Sequence, residues 1–102
     1  MIIYVDIDNT ICRTQGMDYE GSEPIPEAIS KVNEYFDSGH TVIFWTARGT
    51  GSGKDWRALT ESQLYKWGVR YHELKMGKPV YDLFIDDKNI NAQEWLERSF
   101  TL

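Results

Sequence analysis

The sequence has one cysteine among 102 residues, little positive charge and no apolar run of membrane length. Cys12 cannot form a disulfide within the chain, which fits a reducing compartment and leaves the fold to be held by its core. No stretch approaches the roughly 18 consecutive apolar residues that cross a bilayer, and no basic segment with an apolar core opens the chain. A cytoplasmic location with no membrane partner is therefore expected. Lys and Arg number 11 against 16 Asp and Glu, for a formal net charge of −5. That balance disfavours nucleic acid as a partner, because clustered basic side chains are what grip phosphate backbones. Repeats, low-complexity tracts and linkers are absent as well. A chain of this length is expected to form one domain over residues 1–102.

What is present begins with Ile2, Ile3, Tyr4 and Val5, an apolar run that closes on Asp6, Asp8, Asn9 and Thr10. Such a run reads as a strand buried on both faces, as in a parallel sheet. Asp6 and Asp8 are two apart, so in extended chain they share a face, and at about 4 Å two like charges repel by roughly 4 kcal/mol at an effective dielectric near 20. The pair implies a cation, a shared proton or divergent directions, and a strand-end Asp-Asn turn is the plain alternative. An aperiodic stretch from Ile11 to Glu23 follows, then a predicted helix from Pro26 to Asp37 with Ile29, Val32 and Phe36 at helical spacing. Thr41 to Thr46 repeats the first pattern, an apolar strand ending on a hydroxyl before Ala47 and Arg48. A connector, Gly49 to Lys54, leads to Asp55 as a cap and a helix from Trp56 to Trp67. Val69 to Leu74 and Asp82 to Asp86 are the third and fourth predicted strands, the fourth ending on Asp86 and Asp87. Asn91, with Glu94 three residues on, heads a last helix. This alternation implies an α/β fold: one three-layer Rossmann-like domain, a parallel sheet of about four strands with helices on both faces.

In such sheets ligands bind beyond the carboxyl ends of the strands, where Asp6, Asp8, Thr46, Asp86 and Asp87 all fall. Four clustered carboxylates call for a hard cation, and an all-oxygen set suits Mg²⁺. Carboxylate nucleophiles form aspartyl-phosphate intermediates, so acids with Mg²⁺ and a lysine point to phosphoryl transfer.

The motifs D-I-D-N-T at Asp6 to Thr10, Thr46 after an apolar strand, Lys78 in G-K-P, and the pair Asp86 and Asp87 stand in one order over nearly the whole chain. In this the chain resembles the haloacid dehalogenase (HAD) superfamily of phosphohydrolases. The resemblance implies Asp6 as nucleophile and Mg²⁺ ligand, and Asp8 as general acid with a backbone contact to the metal. It further implies Thr46 and Lys78 as phosphate contacts, Asp86 as a direct Mg²⁺ ligand and Asp87 as holder of a metal-bound water. Thr10, Ala47 and Arg48 at the same strand ends complete the candidate set as substrate contacts. Lys75 competes with Lys78 for its role. Position 9 is Asn where many relatives carry Gly, and Asn91 stands near a further family acid as either an outer amide or a helix cap.

Other motifs resolve into ordinary residues. Cys12 lacks the C-x5-R partner of a cysteine phosphatase, since position 18 is Asp. The glycines of G-T-G-S-G-K lack the frame of a phosphate loop, His40 belongs to the far end of the sheet, and His72 reads as a packed or surface residue. The four tryptophans, without a basic groove, read as core and interface residues instead of a base-stacking platform. Neither interval between motifs has room for a cap domain. An open, capless site implies a large substrate or a wall borrowed from another subunit, and small sugar-phosphate phosphatases of this type commonly form tetramers. A phosphorylated sugar is the expected substrate, and the W-T-A-R and G-K-P stretches look like proteins of capsule or surface-sugar biosynthesis. Nucleotides or nucleic-acid ends are the alternative substrates. A phosphoacceptor without turnover, or a silent binding domain, is the alternative of another class.

Overall fold

The computed structural model describes residues 1–98, and the last four residues of the expected domain lie outside the described residues. The chain runs β1 (Ile2–Val5), β2 (Cys12–Arg13), β3 (Glu23–Pro24), α1 (Pro26–Asp37), β4 (Thr41–Trp45), α2 (Arg57–Lys66), β5 (Glu73–Lys75) and α3 (Ala92–Glu97). β1, β4 and β5 form a parallel sheet in the order β1-β4-β5, with Ile3 opposite Val42, Val5 opposite Phe44, and Phe44 opposite Leu74. Parallel neighbours in register share a face, so these five side chains make one apolar surface. They pack with Ala28, Ile29 and Val32 of α1 and Leu64 of α2 in a single cluster. Val42, Phe44, Val32 and Leu64 are wholly buried, each contributing about 1.5–3 kcal/mol by area removed from water.

α1 starts and stops where its sequence says it should, because Pro26 suits the first turn and Ala28, Ile29, Val32 and Tyr35 line one stripe. Asn91 caps α3 by accepting from the Gln93 N–H at 3.0 Å, so it acts as a helix cap. Trp95 docks α3 on α1 by donating its indole N–H to the Tyr35 hydroxyl at 2.8 Å, and Lys31 donates to the Trp95 carbonyl.

Three expectations are corrected. The third strand is displaced to Glu73–Lys75. The fourth is not formed: residues 82–86 are irregular and exposed, with Leu83 at 75% and Ile85 at 86% of full exposure. An apolar run becomes a strand only beside a free edge it can reach, and this run starts four residues after Lys78, whose N–H donates to the Thr46 carbonyl at 3.0 Å. The described helices also gather on one face instead of two. Both crossovers step the same way across the sheet, β1 to β4 to β5, and right-handed connections then put both helices on the same side. α1 meets the end of α2 there, with Asn33 donating to the Gly68 carbonyl at 2.9 Å and accepting from the Arg70 N–H at 2.8 Å. On the other face Ile2 and Tyr4 stay exposed, Tyr4 lies edge-on to Trp45 at 6.1 Å, and Lys75 donates to the Tyr4 hydroxyl at 3.1 Å.

Candidate active site

The chain leaves β1 at Val5 and folds back at once. Thr10 and Ile11 donate their N–H groups to the Ile7 carbonyl at 3.1 and 3.0 Å, and Asn9 donates to the Cys12 carbonyl at 2.7 Å. Asn9 sits at φ +59°, a left-handed conformation that Asn tolerates better than most residues, and its Oδ1 accepts from the Thr14 N–H at 3.1 Å. Asp6 and Asp8 thus lie in a tight loop at the carboxyl end of β1, with Ile7 and Ile11 wholly buried as its anchors.

The two acids have different partners. Asp6 faces Lys78: Lys78 Nζ lies 3.4 Å from Asp6 Oδ2, and the Ile7 N–H donates to Asp6 Oδ1 at 2.8 Å. Burial pushes the Asp6 carboxyl above its ordinary value of 3.8, against the pull of Lys78 and the Ile7 N–H. Asp8 faces Arg48, which grips it as a fork, Nε to Oδ2 at 3.0 Å and Nη2 to Oδ1 at 2.8 Å. Thr14 donates its hydroxyl to Asp8 Oδ1 at 2.6 Å.

Arg48 is itself held. Its side chain is fully buried, and Nη1 donates to Thr60 Oγ1 at 3.1 Å and to Gln63 Oε1 at 2.6 Å, both on α2. The Tyr19 ring covers the guanidinium at 4.9 Å, and Gln63 donates to the Tyr19 carbonyl at 2.6 Å. The stretch that is aperiodic in sequence, Ile11 to Glu23, is therefore tied down by the β2–β3 ladder and by this cluster. Gly49, next to Arg48, is required by its backbone: φ is +84° and a Cβ there would lie 2.1 Å from the Lys54 carbonyl oxygen.

The sequence-derived set divides accordingly. Asp6, Asp8, Arg48 and Lys78 come together, with Thr46 beside them. Thr46 is 1% exposed, accepts the Arg48 N–H on its hydroxyl at 3.2 Å and bonds Lys78 through its carbonyl, so it fixes the turn that presents both cations. Ala47 and Thr10 are half-buried at the same loops. Arg48 turns its guanidinium to Asp8 and also borders a small concavity. Lys75 serves Tyr4, which leaves Lys78 as the lysine at Asp6. Cys12 is buried, and burial raises its thiol. His72 accepts from the Val42 N–H at 3.1 Å, near the start of β4 and away from the acids.

Asp86 and Asp87 do not join. Among the described residues no three His, Cys, Asp or Glu side chains gather to hold a metal. Asp6 and Asp8 supply two carboxylates, one forked by Arg48 and the other paired with Lys78. Mg²⁺ takes octahedral oxygen ligation through one or two carboxylates with water and substrate oxygens. So engaged, these residues do not fit it. Thr14, Thr60, Gln63 and Tyr19 were missed because each is an ordinary residue in its own segment, and only tertiary folding makes them the clamp on Arg48. A concavity of about 140 Å³ lies beside Arg48, Gly49, Lys54 and Trp56, whereas one of about 710 Å³ lies between α1 and the end of α2 and includes none of the site residues.

No protein-family model and no curated protein matches the chain. A crystal structure of a structural-genomics target from Vibrio cholerae is similar over 99% of this chain and 89% of its own, with a TM-score of 0.84 and 27% identity. Its name carries no activity. No helix among the described residues is long and apolar enough to cross a membrane.

Proposed function

We propose that the chain is a phosphomonoester hydrolase of the HAD type, acting in the cytoplasm on a small phosphorylated sugar through a phosphorylated Asp6. The observation that carries this reading is the pairing of two half-buried charges, the Asp6 carboxylate and the Lys78 ammonium, at the carboxyl end of a parallel sheet. Asp6 in its charged form attacks phosphorus, the bond to the sugar oxygen breaks, and the departing alcohol takes a proton. Water then cleaves the acyl phosphate and returns Asp6. Lys78 pairs with Asp6 before attack and with the phosphoryl oxygens after it, so little charge must be resolvated along the way. Asp8 is the nearby acid that could carry the proton, once one oxygen leaves the Arg48 fork. The Mg²⁺ implied by the resemblance needs a further oxygen donor beside Asp6 and Asp8.

A second reading is favoured by that fork. If Asp8 never leaves Arg48, no proton carrier stands beside Asp6, and the domain would hold its phosphate as a phosphoacceptor without turnover. Phosphate release from sugar phosphates, nucleotides and phosphorylated oligonucleotide ends decides between them. Multiple turnovers on a sugar phosphate, lost by on the order of 10⁴-fold in Asp6→Asn with the circular dichroism unchanged, is the expected result. Unaltered turnover in Asp6→Asn would overturn the assignment.

A further inference from the structure

The G-T-G-S-G-K connector lacks the frame of a phosphate loop, yet it is folded against the site. Thr50 donates its N–H to the Ala47 carbonyl at 3.0 Å, Gly53 donates to the Gly49 carbonyl at 2.8 Å, and the Thr50 hydroxyl donates to the Lys78 carbonyl at 2.8 Å. The connector is thereby pinned to the two segments that carry Arg48 and Lys78. Beside it lies the concavity of about 140 Å³, lined by Arg48 itself, by Gly77 just before Lys78, and by Lys54, Asp55 and Trp56. A group leaving a phosphorus held between Asp6 and Lys78 has this recess next to it.

The recess offers two donors and an acceptor. The Trp56 indole N–H has no acceptor among the described residues, and since no buried polar side-chain atom among them lacks a partner, this donor is open to a ligand. The Cδ1 edge of the ring, next to that N–H, lies against Gly49, where a Cβ would stand 3.3 Å from Cδ1 and narrow the recess. Lys54 Nζ lies 5.3 Å from the centre of the Trp56 ring and makes no ion pair among the described residues. Asp55 uses Oδ1 to accept the Arg57 N–H at 3.0 Å, which leaves its second oxygen for a ligand hydroxyl.

We propose that this recess holds the leaving alcohol, and that Lys54 and Trp56 select a phosphorylated sugar acid. The proposal rests on the phosphatase reading, which it deepens by naming a second charge on the substrate. In a chain of net charge −5, an anion must be met by local cations. Arg48 and Lys78 are already engaged by Asp8 and Asp6, whereas Lys54 is engaged by no carboxylate. One ammonium with Asp55 beside it matches the single charge of a carboxylate better than the nearly doubled charge of a second phosphate. The indole N–H and the free Asp55 oxygen suit hydroxyls, which both accept and donate. A volume of about 140 Å³ is close to five waters at roughly 30 Å³ each, and well short of the roughly 300 Å³ at which pockets for drug-sized ligands begin. A polyol chain fits such a recess and a nucleoside does not.

Titrating the Asp6→Asn chain with gluconate 6-phosphate and with glucitol 6-phosphate tests the recess without turnover. The two compounds differ only in one terminal carboxylate. In ¹H–¹⁵N spectra the Trp56 indole signal, identified by its loss in Trp56→Phe, is expected to move with both, and gluconate 6-phosphate to bind about fivefold more tightly. Lys54→Gln is expected to erase that preference. No binding of either compound, a Trp56 signal that stays still while the backbone signals of residues 77–78 move, or a preference that survives Lys54→Gln would each overturn the proposal. In that event, turnover of any phosphomonoester by the wild type leaves the phosphatase reading standing. A wild type inactive on every phosphomonoester would sink that reading, and the two titrations would still judge the recess.

Discussion

The chain contains two apolar runs that end in paired acids, and they have opposite fates. Ile2–Val5 is a strand bonded to β4, and its acids are held by Lys78 and Arg48. Residues 83–85 are apolar as well, yet they lie irregular and exposed, and among the described residues Asp86 and Asp87 join no metal-holding cluster. Apolar character alone is therefore not what separates them. The first run is joined to β4 by a long connection containing α1, which is ample for a parallel crossover. The second follows Lys78 by four residues and has no such connection. A strand requires a partner within reach of its connector, and a catalytic acid requires the strand.

The comparison breaks most visibly if both runs respond alike to truncation. Phe44→Ala is expected to cost about 3–5 kcal/mol in denaturant unfolding, because Phe44 is wholly buried at the centre of the sheet. Phe84→Ala, measured at a protein concentration that keeps chains apart, should stay within about 0.5 kcal/mol of wild type. Equal losses would mean that residues 82–86 are packed within one chain.

Next in size is Arg48→Met, which leaves Asp8 without its fork and removes the link between the first loop and α2. A loss of about 2–3 kcal/mol is expected, at or below the range for breaking a buried pair because Asp8 keeps some water contact. Arg48→Lys should recover little of it, since an ammonium cannot bridge both Asp8 oxygens and also reach Thr60 and Gln63. Urea titration of the two variants checks both statements.

The smallest effect is the pH dependence tied to Asp6. Its folded carboxyl titrates above 3.8 because it is buried, so the folded chain holds this proton more tightly than the unfolded chain. That contribution favours folding at low pH and is lost as pH rises from the ordinary value through the raised one. Asp6→Asn should flatten the stability profile in that window and leave it parallel to wild type above. The acid limb of kcat/KM should likewise be displaced upward from the ordinary aspartate value, because only charged Asp6 attacks.

Much of this was legible in the residues. α1 runs over Pro26–Asp37 as its spacing implies, and Asn91 caps α3. Asp6, Asp8, Thr46 and Lys78 were readable because strand ends in a parallel sheet converge, and a converging set needs only local patterns to be found. The side of each helix was not, because it depends on the direction in which successive crossovers step. Nor does an apolar run show by itself that residues 82–86 lack a strand, because their short connector from Lys78 decides which edge they can reach. The Arg48 clamp escaped because Thr60 and Gln63 are polar residues on a helix, where a solvent-facing role is the ordinary reading, and no local signal marks them as buried.

The most direct measurement is chemical trapping of the phosphorylated chain. After acid quench during turnover of a sugar phosphate, borohydride reduction converts an aspartyl phosphate to homoserine, which peptide mass spectrometry places by residue. Homoserine at position 6, absent without substrate and absent in Asp6→Asn, is the expected result. Turnover with no modification at position 6, or with the label on another residue, would contradict the account.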